Sequence, residues 1–169
     1  PPEANSYSVI LSPDARKIAY TTGGGGAKRE AGEWTCVEPQ KISKLWIADI
    51  DGKNKKMLYD GAEKLHCKTG GVGGVRGSKI IWSPDSQKIV FTIDYNGVWI
   101  TDLMVNAYQL MEYPSDFHNN LFWIPDKNKI VARMSPQSLA LVGADGSNFQ
   151  KFEVVPQKVE GKYSEKEFA

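Results

Sequence analysis

The stretch Trp82-Ser83-Pro84-Asp85-Ser86-Gln87-Lys88-Ile89-Val90-Phe91, continued by Val98-Trp99-Ile100-Thr101-Asp102, decides the fold. Apolar runs rich in β-branched and aromatic residues, interrupted by turn residues, read as strands. Pro followed by Asp suits the centre of a type I turn, because Pro fixes φ and Asp bonds to nearby backbone amides. The same phrase occurs twice more with identical internal offsets. Leu11-Ser12-Pro13-Asp14 precedes Lys17-Ile18-Ala19-Tyr20, and Trp123-Ile124-Pro125-Asp126 precedes Lys129-Ile130-Val131-Ala132.

A third strand follows each phrase, at Leu45-Trp46-Ile47-Ala48-Asp49, Val98-Trp99-Ile100-Thr101-Asp102 and Leu139-Ala140-Leu141-Val142. Asp51-Gly52 and Asp145-Gly146 then signal hairpin turns, since the left-handed geometry of a tight turn favours Gly. A fourth strand closes each unit near Lys56–Tyr59, Tyr108–Tyr113 and Phe149–Val155. Repeats of about forty residues with four short strands imply blades of a β-propeller. The expected fold is therefore all-β, with three four-stranded antiparallel blades that form part of a larger or assembled ring. Trp46, Trp82, Trp99 and Trp123 lie within strands and read as blade-to-blade packing.

These motifs resemble the WD40-like repeats of TolB and the propeller domains of prolyl-oligopeptidase-type peptidases. The resemblance covers residues 7–155, with departures at Ile124, at Met104-Val105-Asn106 and at Leu139-Ala140, which lacks the Trp. It implies a protein-binding scaffold in a periplasmic or extracellular setting. It also implies a ring of more blades than this chain holds. The chain is then a fragment of a longer protein, or its ring is completed by a second copy or by another protein subunit.

The spacing of the repeats locates a departure. The residue before Pro-Asp falls at Ser12, Ser83 and Ile124, so the first unit is longer than the second by about thirty residues. The excess divides between an insertion at 23–43, inside the first blade, and a second at 61–78, before the next blade. In an up-and-down blade both connections emerge on one rim. The expected organisation is a tail at 1–6, blade 1 at 7–60, the Gly-rich insertion at 61–78, blade 2 at 79–113, a connector at 114–120, blade 3 at 121–155 and a tail at 156–169.

Long loops on one face of a rigid scaffold are where binding resides. Candidate contact residues are Arg29, Trp34, His66 and Arg76 in the insertions and His118 in the next connector. Cys36 and Cys67 share the insertion rim, so a disulfide between them is geometrically possible and would require an oxidising compartment. Free thiols are the equally ordinary alternative. A plain connector role for the Gly-rich runs competes with the binding role.

Composition narrows the partners. Net charge is +1, with 21 basic and 20 acidic residues, which gives no field for a nucleic acid. No apolar run is long enough to cross a bilayer, and Pro1-Pro2-Glu3 does not begin a signal peptide, so a leader is expected to be absent or removed. A peptidase relative would carry its Ser on a G-x-S-x-G elbow, and no such pentapeptide occurs. Two histidines without ligand spacing make a metal site an unfavoured reading, and Asp49-Ile50-Asp51-Gly52 fits a hairpin turn better than a calcium loop. No cofactor is expected. The sequence thus points to a non-enzymatic interaction scaffold; the alternative is a propeller fragment or subunit of a larger hydrolase or lyase that gates its active site or, with His66 and His118, contributes to it.

Overall fold

The computed structural model describes residues 8–22, 27–30, 33–36, 44–60, 80–93, 97–104, 106–112, 121–135 and 137–154. Within them lie three four-stranded antiparallel sheets and one two-stranded sheet. Sheet 1 comprises β1 (Ser8–Leu11), β2 (Lys17–Thr22), β5 (Lys44–Asp49) and β6 (Lys56–Asp60). Sheet 2 comprises β7 (Ile80–Trp82), β8 (Lys88–Ile93), β9 (Gly97–Asp102) and β10 (Ala107–Met111). Sheet 3 comprises β11 (Leu121–Ile124), β12 (Lys129–Ser135), β13 (Ser138–Gly143) and β14 (Gln150–Glu153). Each is a meander in chain order. The expected twelve blade strands are present, and a further hairpin, β3 (Ala27–Glu30) with β4 (Glu33–Cys36), lies within the first insertion. The tails, the 61–78 insertion and the 114–120 connector lie outside the described residues.

The sheets pack face to face in chain order, and strand alternation decides which residues meet. On β8, Ile89 and Phe91 turn toward sheet 1, where they join Ala19, Leu45 and Ile47. Val90 turns the other way and meets Ile130, Ala132 and Val142 of sheet 3. Because sheet 2 is covered on both faces, its strands read as nearly continuous apolar runs rather than as alternating ones. The first strand of sheet 2, β7, lies against the first strands of both neighbours, β1 and β11. Two indoles follow the blade-packing expectation directly. Trp82 donates its Nε1–H to the Ile10 carbonyl of sheet 1 at 3.3 Å, and the Trp99 ring meets Tyr59 at 5.7 Å between centroids. Trp123 packs into the core between sheets 2 and 3. Trp46 holds the position on sheet 1 that Trp99 holds on sheet 2, on the face that no described sheet covers. In the register it pairs with Tyr20, while its neighbour Ile47 faces sheet 2, so its ring lies on the opposite face and donates to Thr22 Oγ1 at 2.9 Å.

The repeated turn is built by its Ser. Ser83 Oγ lies 2.5 Å from the Asp85 carboxylate, to which it donates, and accepts from the amides of Lys88 at 2.8 Å and Gln87 at 3.2 Å. Ser12 makes the corresponding bonds to Asp14 and from Lys17 at 2.7 and 2.9 Å. Ala15 and Ser86 complete these turns at positive φ. The third phrase differs, because Ile124 has no hydroxyl to gather those amides. There Pro125–Lys127 winds a short 3-10 turn, and the positive φ moves one place on, to Asn128, a residue that tolerates it.

Candidate functional site

Sheet 1 carries the two insertions, and its register places their roots together. Thr22 at the end of β2 pairs with Lys44 at the start of β5, and Lys44 pairs with Asp60 at the end of β6. The departure points of both insertions therefore form one row at one rim. Lys44 Nζ meets Asp60 Oδ2 at 3.0 Å, with the carboxylate only 11% exposed, and the Trp46–Thr22 bond lies in the adjacent turn of chain. A half-buried ion pair of this kind holds geometry because little water competes for either charge. Neither pairing was legible in the sequence: Lys44 and Asp60 begin and end the β5–β6 hairpin, and only its register makes them partners.

From this root the first insertion rises as the β3–β4 hairpin. Arg29 pairs with Trp34 in its register, and Ala27 pairs with Cys36. Two of the sequence candidates, Arg29 and Trp34, thus occupy directly opposed positions on a local strand pair. The sequence carries a weak signal for this: Glu33-Trp34-Thr35-Cys36 alternates polar and apolar residues, with Gly32 just before it. His66, Arg76, His118 and Cys67 lie outside the described residues, so the Cys36–Cys67 pairing stays an expectation.

The opposite rim holds the tight turns. Gly52 and Gly146 adopt φ of 82° and 83°, where each closes a turn by donating its amide to the carbonyl of Asp49 or Gly143. Five aspartates on this rim titrate below the ordinary carboxylate value. Ser12 and Ser83 hydroxyls hold Asp14 and Asp85 low, Lys17 does so for Asp49, Asn106 for Asp102 and Ser147 for Asp145. Their partners are turn amides, hydroxyls and local lysines, which is the chemistry of caps rather than of proton transfer. Asp49 in particular accepts from Asn54 at 2.6 Å and Lys17 at 2.7 Å, as a hairpin turn requires. An open cleft of about 270 Å³ separates the turns of sheets 2 and 3, with Asp85, Lys88 and Trp123 in its walls. Among the described residues no group of three or more His, Cys, Asp or Glu could hold a metal ion. No described helix is long and apolar enough to cross a membrane.

A series of four-stranded antiparallel meanders stacked face to face defines the class of fold, and solved structures share it. The chain superimposes on a structure described as putative TolB from Agrobacterium tumefaciens with a TM-score of 0.50 and 16% identity, covering 89% of this chain and 50% of that one. TolB from Acinetobacter baumannii gives a TM-score of 0.47 and 15% identity over 81% of this chain and 30% of that one. The chain therefore spans half or less of the length of these structures. The likeness is one of fold. No protein-family model and no curated protein matches the sequence.

Proposed function

We propose that the chain is a non-enzymatic protein-interaction scaffold of the TolB-like propeller kind, contacting a partner protein through the insertions of its first blade. The observation that carries this reading is the β3–β4 strand pair within the first insertion, together with the Lys44–Asp60 pair between the two insertion roots. A rigid root with an added strand pair is a better platform for recognition than a slack connector. Arg29 and Trp34 are the leading contact residues, since Arg and Trp are the residue types that dominate protein interfaces. His66, Arg76 and His118 complete the proposed surface. The TolB likeness favours a periplasmic or extracellular setting, in which a Cys36–Cys67 disulfide would fasten one insertion to the other. Further blades, from a longer form of the same chain, from a second copy or from another subunit, would continue the stack at sheets 1 and 3.

The test is site-specific photo-crosslinking in a cell-envelope extract, with the probe at position 34 or, as a control on the opposite rim, at position 127. The reading expects a protein adduct from position 34 alone, lost in the Arg29→Ala variant. Equal labelling from both positions, or labelling indifferent to Arg29, overturns it.

A further inference from the structure

The two junctions between neighbouring sheets are alike at their outer edges. Lys56, opposite Ile47, donates Nζ–H to the Leu103 carbonyl of sheet 2 at 2.7 Å. Tyr108, at the same place on sheet 2, donates its hydroxyl to the Ala144 carbonyl of sheet 3 at 2.8 Å. The acceptors are equivalent, each just past the end of a third strand.

The inner parts of the junctions, at the rim of the tight turns, differ. Between sheets 1 and 2 two hydrogen bonds close the gap. One is the bond from the Trp82 indole to the Ile10 carbonyl. In the other, the Asp14 amide donates to the Ser86 hydroxyl at 3.1 Å, with Ser86 only 4% exposed. The Ser86 hydroxyl acts in both directions there, since it also helps to hold the Asp14 carboxylate low. A hydroxyl can donate and accept at once, whereas a carbonyl only accepts.

Between sheets 2 and 3 neither bond has a counterpart among the described residues. Trp123 stands where Trp82 stands, half-buried against the core, but its indole N–H meets no protein acceptor. Lys127, exposed, stands in the place of Ser86, so the Asp85 amide has only its own carboxylate nearby. The cause is local to the third phrase, where Ile124 replaces the Ser and a 3-10 turn, Pro125–Lys127, replaces the turn that positions Ser86. What remains is the cleft of about 270 Å³, walled by Pro84, Asp85, Lys88, Trp123, Pro125 and Asn128. That volume lies at the small end of ligand pockets, with room for one ring. Lys88 acts electrostatically on both Asp85 and Asp145, so its charge is already matched and does not call for an anion.

We propose that the cleft between sheets 2 and 3 binds a neutral pyranose sugar, one of whose hydroxyls takes the place that the Ser86 hydroxyl fills at the first junction. That hydroxyl accepts from the Asp85 amide and donates to a carboxylate, which a peptide carbonyl could not do. A second sugar oxygen accepts from the Trp123 indole N–H, and the apolar face of the ring meets Trp123 and the two prolines. The site lies on the rim opposite the insertions, so the crosslinking result at position 34 stands or falls separately.

Proton–nitrogen NMR on the whole chain tests it, with glucose, galactose and their methyl glycosides as probes. The free sugars and the methyl glycosides distinguish a monosaccharide ligand from a residue of a glycan. At least one probe should move the Trp123 indole and Asp85 amide signals saturably, with a dissociation constant in the millimolar range. The Trp82 indole, already bonded to Ile10, should stay in place. Trp123→Phe keeps a ring in the wall and removes the donor, and the Asp85 amide should then report binding weakened by roughly 2- to 12-fold, the range for one hydrogen bond. Glucuronate and N-acetylglycine methylamide should bind more weakly than the best neutral sugar. The wild-type titration carries the test even if the variant does not fold. No saturable shift with any of the four sugars, a Trp82 shift as large as that of Trp123, or tighter binding of the anion or of the peptide amide overturns the proposal.

Discussion

Removing the Ser83 hydroxyl isolates what holds a repeat unit's first hairpin together. Ser83 is 1% exposed, so water does not replace the lost oxygen. Its Oγ is the acceptor for the Lys88 amide at 2.8 Å, while the Lys88 carbonyl already accepts from the Ser83 amide at 2.9 Å. In Ser83→Ala the Gln87 amide keeps the Asp85 carboxylate at 3.0 Å, but the Lys88 amide is left without its turn acceptor. One stranded buried donor costs about 1–3 kcal/mol. The expected loss in unfolding free energy by urea titration is therefore in that range, with little change in the slope of the transition. Lys55→Ala, on an exposed turn, is the control and should lie within about 0.5 kcal/mol of wild type. The variant has a second readout. The Ser83 hydroxyl is the largest influence holding Asp85 below the ordinary carboxylate value, so the carboxyl resonance of Asp85 should titrate at higher pH in Ser83→Ala. If the variant matched the Lys55→Ala control, and Asp85 titrated as in wild type, the account of the turn would be refuted.

The five lowered aspartates set the acid limb of stability. A carboxylate with a depressed folded pKa stabilises above its unfolded value, near pH 4, and loses that contribution as pH falls through the folded value, so melting temperature should fall below pH 4 and stay level from pH 5 to 7; a flat profile down to pH 3 would contradict the capping roles. Tyr59 presents the opposite case. Its hydroxyl is buried with no hydrogen-bond partner among the described residues, its titration is pushed up by burial, and its ring meets that of Phe91 at 5.3 Å in a tilted contact between sheets 1 and 2. Tyr59→Phe keeps the ring and removes the orphaned group, so denaturation should show it neutral to about 1 kcal/mol more stable, and a loss above about 1 kcal/mol would reveal a partner for the hydroxyl.

The repeat was readable because a meander is local. Each hairpin is closed by residues a few places apart, and Ser83-Pro84-Asp85 or Asp51-Gly52 write that closure into adjacent letters. Strand count, order and the location of the insertions followed from comparing such phrases. The hairpin within the first insertion escaped that comparison, since β3 and β4 have no counterpart in the other units against which to align them. The third unit showed the limit of reading by likeness: Ile124 kept the strand but shifted the turn, because the hydroxyl, not the Pro, gathers the amides.

What the sequence determined by itself was therefore the unit, four strands and their turns, together with the rim that bears the additions. Tertiary structure alone decided how units meet. Which face of Trp46 is covered, which lysine reaches Asp60, and which donor at the start of an outermost strand finds a carbonyl in the next sheet depend on groups far apart along the chain. Burial and hydrogen-bond geometry, acting across the sheets, select those pairings. The insertion rim remains the place where the fold departs from its own repeat, and its Lys44–Asp60 root is a feature that only the folded chain could supply.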